Sequence, residues 1–434
     1  MNNSLWTASA VMPDFPALDA DLNTDILIVG GGLAGLLCCR LLTDAGAKAV
    51  LIEADKLCRG VSANTTAKIT AQHGLIYSKL LQRFGADAAR SYWQINTGAI
   101  AGLRSLAQGI DCDLETKDNY IFGEGCAGSL LKELSALKEL GIPGEYVPTN
   151  KLPFPTAGAI RFREQAQFHP LKFAAGIARD LKIFENTPAL EFQKNTVVTK
   201  GGKIRANRII IATHFPILNK HGGYFMKLYQ QRSYVLALKN GPDVDGMYLS
   251  AGENGISLRN YGDLLLLGGG GHRTGKHGGG WEALEDFAKR YLPGTKEQFR
   301  WATQDCITLD AMPYIGRYSP GTPNMYVATG FNKWGMTGTM VSAQILTDML
   351  QGIRHPGAEL FSPARKMALL PLAQNAGEST LNLLRPAVPR CPHLGCALRW
   401  NPREHSWDCP CHGSRFDEDG KLVDNPATGD LKDK

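Results

Sequence analysis

One short stretch constrains the fold of this chain more than any other. Asp25-Ile-Leu-Ile-Val29 is an apolar run that ends on Gly30-Gly31-Gly32-Leu33-Ala34-Gly35. A continuous apolar run of this length reads as a buried parallel strand. Leu33 to Ala45 then reads as a helix, with Gly46 as the residue just past its end. Ala49 to Ile52 reads as a second strand and finishes at Glu53. Together they form one βαβ unit, which commits the N-terminal half to an α/β architecture.

The spacing Gly30-x-Gly32-x-x-Gly35 is weak alone. Between a strand and a helix, with an acid at the end of the next strand, it becomes specific for a dinucleotide. Gly30 permits the tight turn, Gly32 lets a pyrophosphate approach the backbone, and Gly35 lets helix and strand pack closely. The amides of Leu33 and Ala34 open the helix, whose N-terminus favours an anion. Glu53, followed by Ala54, is placed to accept from a ribose hydroxyl, which disfavours a 2′-phosphate. A glycine turn in an unrelated α/β fold is the bland alternative.

Two further segments favour FAD over NAD. Arg59-Gly-Val-Ser62-Ala-Asn-Thr65-Thr66-Ala-Lys68 offers hydroxyls for phosphate and ribitol contacts. Near the other end, Tyr326-Val-Ala-Thr-Gly330-Phe-Asn-Lys-Trp334-Gly335-Met336-Thr337-Gly338 again runs strand, glycine turn, helix. A helix starting near Thr337 would aim its N-terminus at the flavin pyrimidine edge and stabilise negative charge there. Ordinary αβ packing is the alternative for this second turn.

The last 44 residues carry a different chemistry. Cys391-Pro-His393-Leu-Gly-Cys396 is followed by Cys409-Pro-Cys411-His412-Gly-Ser. Two thiols and two imidazoles in two short loops match the ligand set of a Rieske [2Fe–2S] cluster. On that pattern Cys391 and Cys409 bind one iron, and His393 and His412 the other. Neutral imidazoles leave such a cluster at roughly −150 to +300 mV, a range that accepts electrons from a reduced flavin. A Cys2His2 zinc site is the competitor; the full loop sequences and the extra cysteine pair speak against it.

With these motifs the chain resembles the D-amino-acid oxidase/glycine oxidase superfamily of FAD-dependent oxidoreductases, in the form that carries a C-terminal Rieske domain. Also carrying the resemblance are Thr65-Thr66-Ala-Lys-Ile-Thr-Ala-Gln-His73-Gly, Ile209-Ile-Ile-Ala-Thr-His214 and Thr308-Leu-Asp310-Ala-Met-Pro-Tyr-Ile-Gly316. It covers roughly Thr24 to the end. It implies a Rossmann-like FAD-binding domain, an antiparallel-sheet substrate domain over the flavin, and a small β-rich Rieske domain. It implies backbone near Ala189 beside the adenine, and oxidation of a C–N bond in an amine or amino acid. It also implies a Cys396–Cys411 disulfide joining the two Rieske loops, a bond unusual in a reducing compartment.

The expected domains are an N-terminal extension over 1–23, an oxidoreductase unit over 24–361, a linker over 362–384, and the Rieske domain over 385–434. Little before Cys391 reads as strand, so the Rieske base is expected to be short. In between, Phe84 to Ala107 and Gly128 to Leu140 read as helices. Gly141 to Pro155 reads as a Pro-rich connection, and Tyr234 to Leu238 and Leu264 to Leu267 as antiparallel strands. Cys38 and Cys39 sit in an apolar helix, and Cys58, Cys112, Cys126 and Cys306 read as buried free thiols.

Catalytic residues do not announce themselves. His73, and His272 with Lys276 in a glycine-rich loop, are candidates for reaching flavin or substrate. The alternatives are a structural histidine and a solvated basic loop. His214 ends a strand and reads as a satisfied core histidine. His272-x4-His277 also echoes two ligands of an oxygenase iron centre, but Gly269 stands where the upstream acid belongs.

The chain has 434 residues and a net charge of +6 with no Lys/Arg run. No nucleic-acid role is expected, and the expected partners are a small-molecule amine or amino-acid substrate and an external one-electron acceptor or donor. No apolar run reaches the ~20 residues of a membrane helix. Met1 to Leu22 lacks a basic n-region and an apolar h-region, so the expected location is the cytoplasm. An amine dehydrogenase whose electrons leave through the cluster is the leading expectation. A flavin/iron–sulfur electron-transfer protein without its own organic substrate is the alternative.

Overall fold

The computed structural model describes residues 4–148, 151–252, 255–367, 369–386 and 389–431. Its first layer is a mostly parallel sheet. Leu22–Val29 lies at the centre, between Ala49–Ile52 and Lys203–Ile211, with Ile183–Phe184 and Met325–Thr329 outside them. Tyr314–Arg317 closes one edge in antiparallel pairing. The central strand is buried on both faces. Ile26 and Ile28 enter one apolar core, and Leu27 and Val29 another. That period of two is why its sequence reads as an unbroken apolar run. The helices Leu33–Asp44 and Gly335–Leu350 pack against each other on the first of these faces.

The second layer is a nine-stranded sheet. From one edge it runs Lys296–Thr308, Leu228–Lys239, Leu264–Arg273, Ser257–Tyr261, Met247–Ser250, Glu115–Phe122, Ala159–Gln167 and Lys68–Ile69, with Glu145–Val147 also on Ala159–Gln167. All neighbours are antiparallel except Glu115–Phe122 with Met247–Ser250. Its two faces serve different cores. Val235, Ala237 and Trp301 join the core that contains Ile28 and Leu36. Tyr234, Leu236 and Leu238 join Leu284 and Ala288 of the helix Gly280–Tyr291. The C-terminal unit is a small antiparallel sheet of Arg399–Asn401, Ser406–Asp408, Arg415–Asp417 and Leu422–Asp424. Its strands all follow Cys396, which is why nothing before Cys391 reads as strand.

Several elements differ from their sequence-based expectations. The span 362–384 is not simply a linker: Leu369–Leu384 is a helix. Its proline, Pro371, falls in the first turn, where the missing N–H costs nothing. Part of the N-terminal extension is anchored in the core. Leu5–Ser9 is helical, and Ser4, Leu5 and Trp6 are buried. Ser4 Oγ donates to Ala63 O at 2.5 Å, and Trp6 Nε1 donates to Thr65 O at 2.7 Å. Cys126 is exposed, while Cys38, Cys39, Cys58, Cys112 and Cys306 are buried. The Pro-rich connection carries the strand Glu145–Val147; Thr149 and Asn150 within it lie outside the described residues. Among the described residues no helix is long and apolar enough to cross a membrane.

Candidate functional site

The glycine turn is built around close backbone approaches. Gly30 adopts φ +111°, and a Cβ there would lie 2.6 Å from Ala212 O. A Cβ on Gly35 would overlap Gly30 O, and one on Gly31 would lie 2.8 Å from Glu53 Cβ. Gly32 caps the helix without a side-chain bond. Glu53 Oε2 accepts from Gly31 N at 2.5 Å, and Ser62 Oγ accepts from Leu33 N at 3.0 Å. Burial pushes the Glu53 carboxyl up, against the backbone N–H groups that lower it. Thr187 N donates to Glu53 O at 2.8 Å, which brings the stretch leading to Ala189 alongside. Thr65 and Thr66 follow on, braced by Trp6 and by Arg259 Nε, which donates to Thr66 O at 2.6 Å.

The second turn has Gly330 at φ +74°, and Trp334 caps the helix Gly335–Leu350 with no side-chain bond. Thr337 Oγ1 lies 3.0 Å from His73 Nε2 and donates to Thr70 O at 3.2 Å. His73 is stacked on Trp334 at 4.7 Å between ring centroids, and its Nδ1 lies 2.5 Å from Tyr92 Oη. Burial lowers its pKa to about 3. It is a neutral brace between the threonine segment and this helix, not a group poised to take up protons. Two uncapped helix N-termini and a cradle that admits no side chain fit a dinucleotide whose charge lies on its phosphates.

The sheet presents polar groups to the same region. Gln231 pairs with Asp305 and Ser233 with Thr303 across neighbouring strands, on the face that also carries Val235 and Trp301. Ser233 Oγ and Thr303 Oγ1 are buried without hydrogen-bond partners. A Cβ on Gly271 would lie 3.3 Å from Lys333 Nζ and 3.5 Å from Ser233 Oγ. Lys333 belongs to the second glycine turn and brings its ammonium towards Ser233 and Asp305. Burial pushes its ammonium down and the Asp305 carboxyl up, each partly offset by the other. His214 is not the satisfied histidine its sequence position implies. It adopts φ +65°, and its buried Nε2 has no partner. Burial lowers its pKa, against Asp305 and Asp424.

The cysteine–histidine loops come together at the tip of the C-terminal sheet. Cys391 and Cys409 are buried free thiols, 2% and 1% exposed. Cys396 and Cys411 form a disulfide between the loops, with a Cα–Cα separation of 6.6 Å. The rings of His393 and His412 meet edge-on at 4.9 Å. His393 Nε2 lies 2.8 Å from Asn219 Oδ1, whereas its Nδ1 and both nitrogens of His412 are buried and unpartnered. Orphaned imidazole nitrogens beside two buried thiols fit a cluster bound by two thiolates and two imidazoles. Burial lowers both histidines, to about 4 and about 3. Neutral rings are the form that ligates metal.

This tip is docked on the oxidoreductase unit. Phe215 and Phe225 pack edge-on against His412 at 6.3 and 6.1 Å. Arg232 forms a buried pair with Glu404, which also accepts from Tyr234 Oη at 2.9 Å and pairs with Arg415 at 2.9 Å. Arg415 in turn holds Asp408 and Asp424. Arg273 donates to Pro410 O and Cys411 O. Two catalytic candidates from the sequence lie near this junction. His272 Nε2 lies 3.0 Å from Tyr234 Oη, and Lys276 pairs with Glu378 of the helix Leu369–Leu384 at 2.6 Å. His272 is held within the oxidoreductase sheet, and Lys276 is held by the helix that leads into the Rieske domain. The groups that sequence reasoning missed are Gln230, Arg232, Gln304, Asp305 and Lys333. Their only sequence signal is the polar run Gln230-Gln231-Arg232-Ser233 inside a strand, polar on both faces.

The FAD dependent oxidoreductase family model matches residues 25–349, and the Rieske [2Fe-2S] domain model matches 383–433. A Bacillus subtilis protein named for a Rieske 2Fe-2S iron-sulfur centre, YhfW, is 34% identical, over 98% of this chain and 96% of its own length. The gamma-glutamylputrescine oxidoreductase of Escherichia coli is 25% identical, over 81% of this chain and 89% of its own. Among solved structures, glycine oxidase from Geobacillus kaustophilus superposes with a TM-score of 0.68 at 18% identity, covering 80% of this chain and all of that one. The chain therefore belongs to the FAD-dependent oxidoreductases and carries a C-terminal Rieske domain, with FAD and a [2Fe–2S] cluster as its cofactors.

Proposed function

We propose that this enzyme dehydrogenates a C–N bond in an amine or amino acid, and that the electrons leave through the Rieske cluster to an external one-electron acceptor. The observation that carries this reading is the double use of one sheet. Ser233, Thr303 and Asp305 face the dinucleotide side, while Gln230, Arg232 and Tyr234, on the same strands, bind the Rieske domain. When bound, FAD supplies an acceptor for a hydride and the cluster an acceptor for single electrons.

The chain's own residues divide the work. Gly30, Gly32 and Gly35 let the pyrophosphate reach the helix that begins with Leu33 and Ala34. Glu53 and Ala54 hold the ribose, with backbone at Ala189 beside the adenine. Ser62, Thr65 and Thr66 contact the phosphate and ribitol. Gly330, Trp334, Gly335, Met336 and Thr337 present the second helix N-terminus to the pyrimidine edge. Cys391 and Cys409 hold one iron, and His393 and His412 the other. Lys333 and Asp305, with the two unpartnered hydroxyls, suit a small zwitterion: an anion beside the ammonium and a cation beside the carboxylate. The relatives support the class, since one is named for gamma-glutamylputrescine and a fold neighbour for glycine.

Anaerobic titration with a panel of amines and amino acids, following flavin absorbance and the Rieske EPR signal together, tests the proposal. At least one compound is expected to bleach the flavin and produce a reduced cluster. If none bleaches it, while a ferredoxin-reductase-type donor reduces both centres, the protein is an electron carrier without its own organic substrate.

A further inference from the structure

Between the dinucleotide side of the nine-stranded sheet and the Rieske tip stands a pair of buried glutamines. Gln230 and Gln304 are 1% and 2% exposed. Gln230 Nε2 donates to His412 O at 3.0 Å and to Asn425 O at 2.7 Å. Gln304 Nε2 donates to Gly413 O at 2.8 Å and to Gln230 Oε1 at 3.0 Å. Thr274 Oγ1 donates to Gln304 Oε1 at 2.9 Å. Every polar atom of the two amides is engaged. Gly413 sits at φ +92°, and a Cβ there would lie 2.5 Å from Gln230 Cβ, so the loop is pressed on the strand as closely as glycine allows.

The position is unusual chemically. Two uncharged amides, with His214 beside them, tie the backbone of His412 and Gly413 to the sheet. The next residues along these strands, Gln231 and Asp305, point to the other side. Electrons tunnel better along covalent and hydrogen-bonded links than across van der Waals gaps. His412 also meets the rings of His393, Phe215 and Phe225 and the Phe225 backbone, and Arg273 donates to Pro410 O and Cys411 O of the same loop.

We propose that Gln230 and Gln304 are the positioning residues of the electron exit. Their hydrogen bonds to the His412–Gly413 backbone form the coupling bridge from the dinucleotide side of the sheet to the cluster. This rests on the function proposed above. Each transfer removes one electron from the reduced flavin and converts one ferric iron of the cluster to ferrous. An external one-electron acceptor reoxidises the cluster, so two rounds empty the flavin, and its protons pass to solvent.

The test is a single turnover of the holoenzyme in Gln230→Leu and Gln304→Met. The second keeps the length of the side chain and removes both donors without adding charge. Arg403→Ala, which cuts exposed bonds to Glu282, Gly278 O and Gly279 O at the rim of the same interface, is the control. Flavin reoxidation and cluster reduction are followed by stopped flow, alongside the cluster midpoint potential and EPR g-values. In both glutamine variants transfer slows at least tenfold, while potential and g-values stay at wild-type values. A transfer rate within twofold of wild type in either variant overturns the proposal, as does a slowing matched by a shifted potential. If the wild-type cluster is never reduced by bleached flavin, the parent reading fails instead.

Discussion

His73 shows how far a single residue's sequence context can point and where it stops. It follows the threonine segment that contacts the cofactor region, so it reads as a catalytic candidate. Its surroundings decide otherwise: both ring nitrogens are engaged, Trp334 covers one face, and burial holds its pKa near 3. His169 is likewise lowered to about 4, mainly by burial. Both lie below the unfolded value of about 6.5. As pH falls below that value the unfolded chain takes up protons that the folded chain refuses, so stability falls from about pH 6.5 towards 4. Each such histidine contributes a slope of up to about 1.4 kcal/mol per pH unit. Denaturant titrations across this window should show His73→Gln with a shallower pH dependence than wild type; an equal slope would mean that His73 titrates normally. The glycine turn, by contrast, was legible once its spacing stood between a strand and a helix, because its shape depends on local chain geometry. Lys333 and Asp305 were not, since they meet only when a loop and a strand far apart in sequence converge.

At the level of elements, the βαβ unit and the helix Gly128–Leu140 were readable because periodicity and glycine punctuation agree there. The helix Leu369–Leu384 was hidden by a proline that helices tolerate in their first turn. The N-terminal helix was hidden by its brevity: five residues give no periodicity, and only tertiary contacts hold it. Those contacts matter for the cofactor. Trp6 is fully buried, bonds Thr65 O, and lies 5.3 Å beneath the Arg259 guanidinium that bonds Thr66 O. Replacing Trp6 with Ala should cost about 3–5 kcal/mol in unfolding free energy. It should also increase FAD loss on dialysis, because the brace behind Thr65 and Thr66 is gone. A variant that is destabilised yet retains FAD as wild type does would separate the helix from the site.

The whole molecule is a two-sided device. A sheet with Ser233, Thr303 and Asp305 on one face carries the Rieske domain on the other. Arg232, Glu404 and Arg415 form a desolvated charge network across the junction, with Asp408 and Asp424 behind it. Breaking one member of such a network leaves an unpaired buried charge at the junction. The presence of both cofactor motifs was legible in the sequence. Their mutual placement was not, because it depends on alternate residues of two strands facing opposite ways. The central claim is that both centres work within one chain in this fixed geometry. Rapid-freeze EPR after anaerobic mixing with a reducing amine measures it directly, at several protein concentrations. The account predicts a first-order rise of the reduced Rieske signal whose rate is independent of protein concentration. A rate that scales with concentration, or a bleached flavin beside a permanently oxidised cluster, would contradict it.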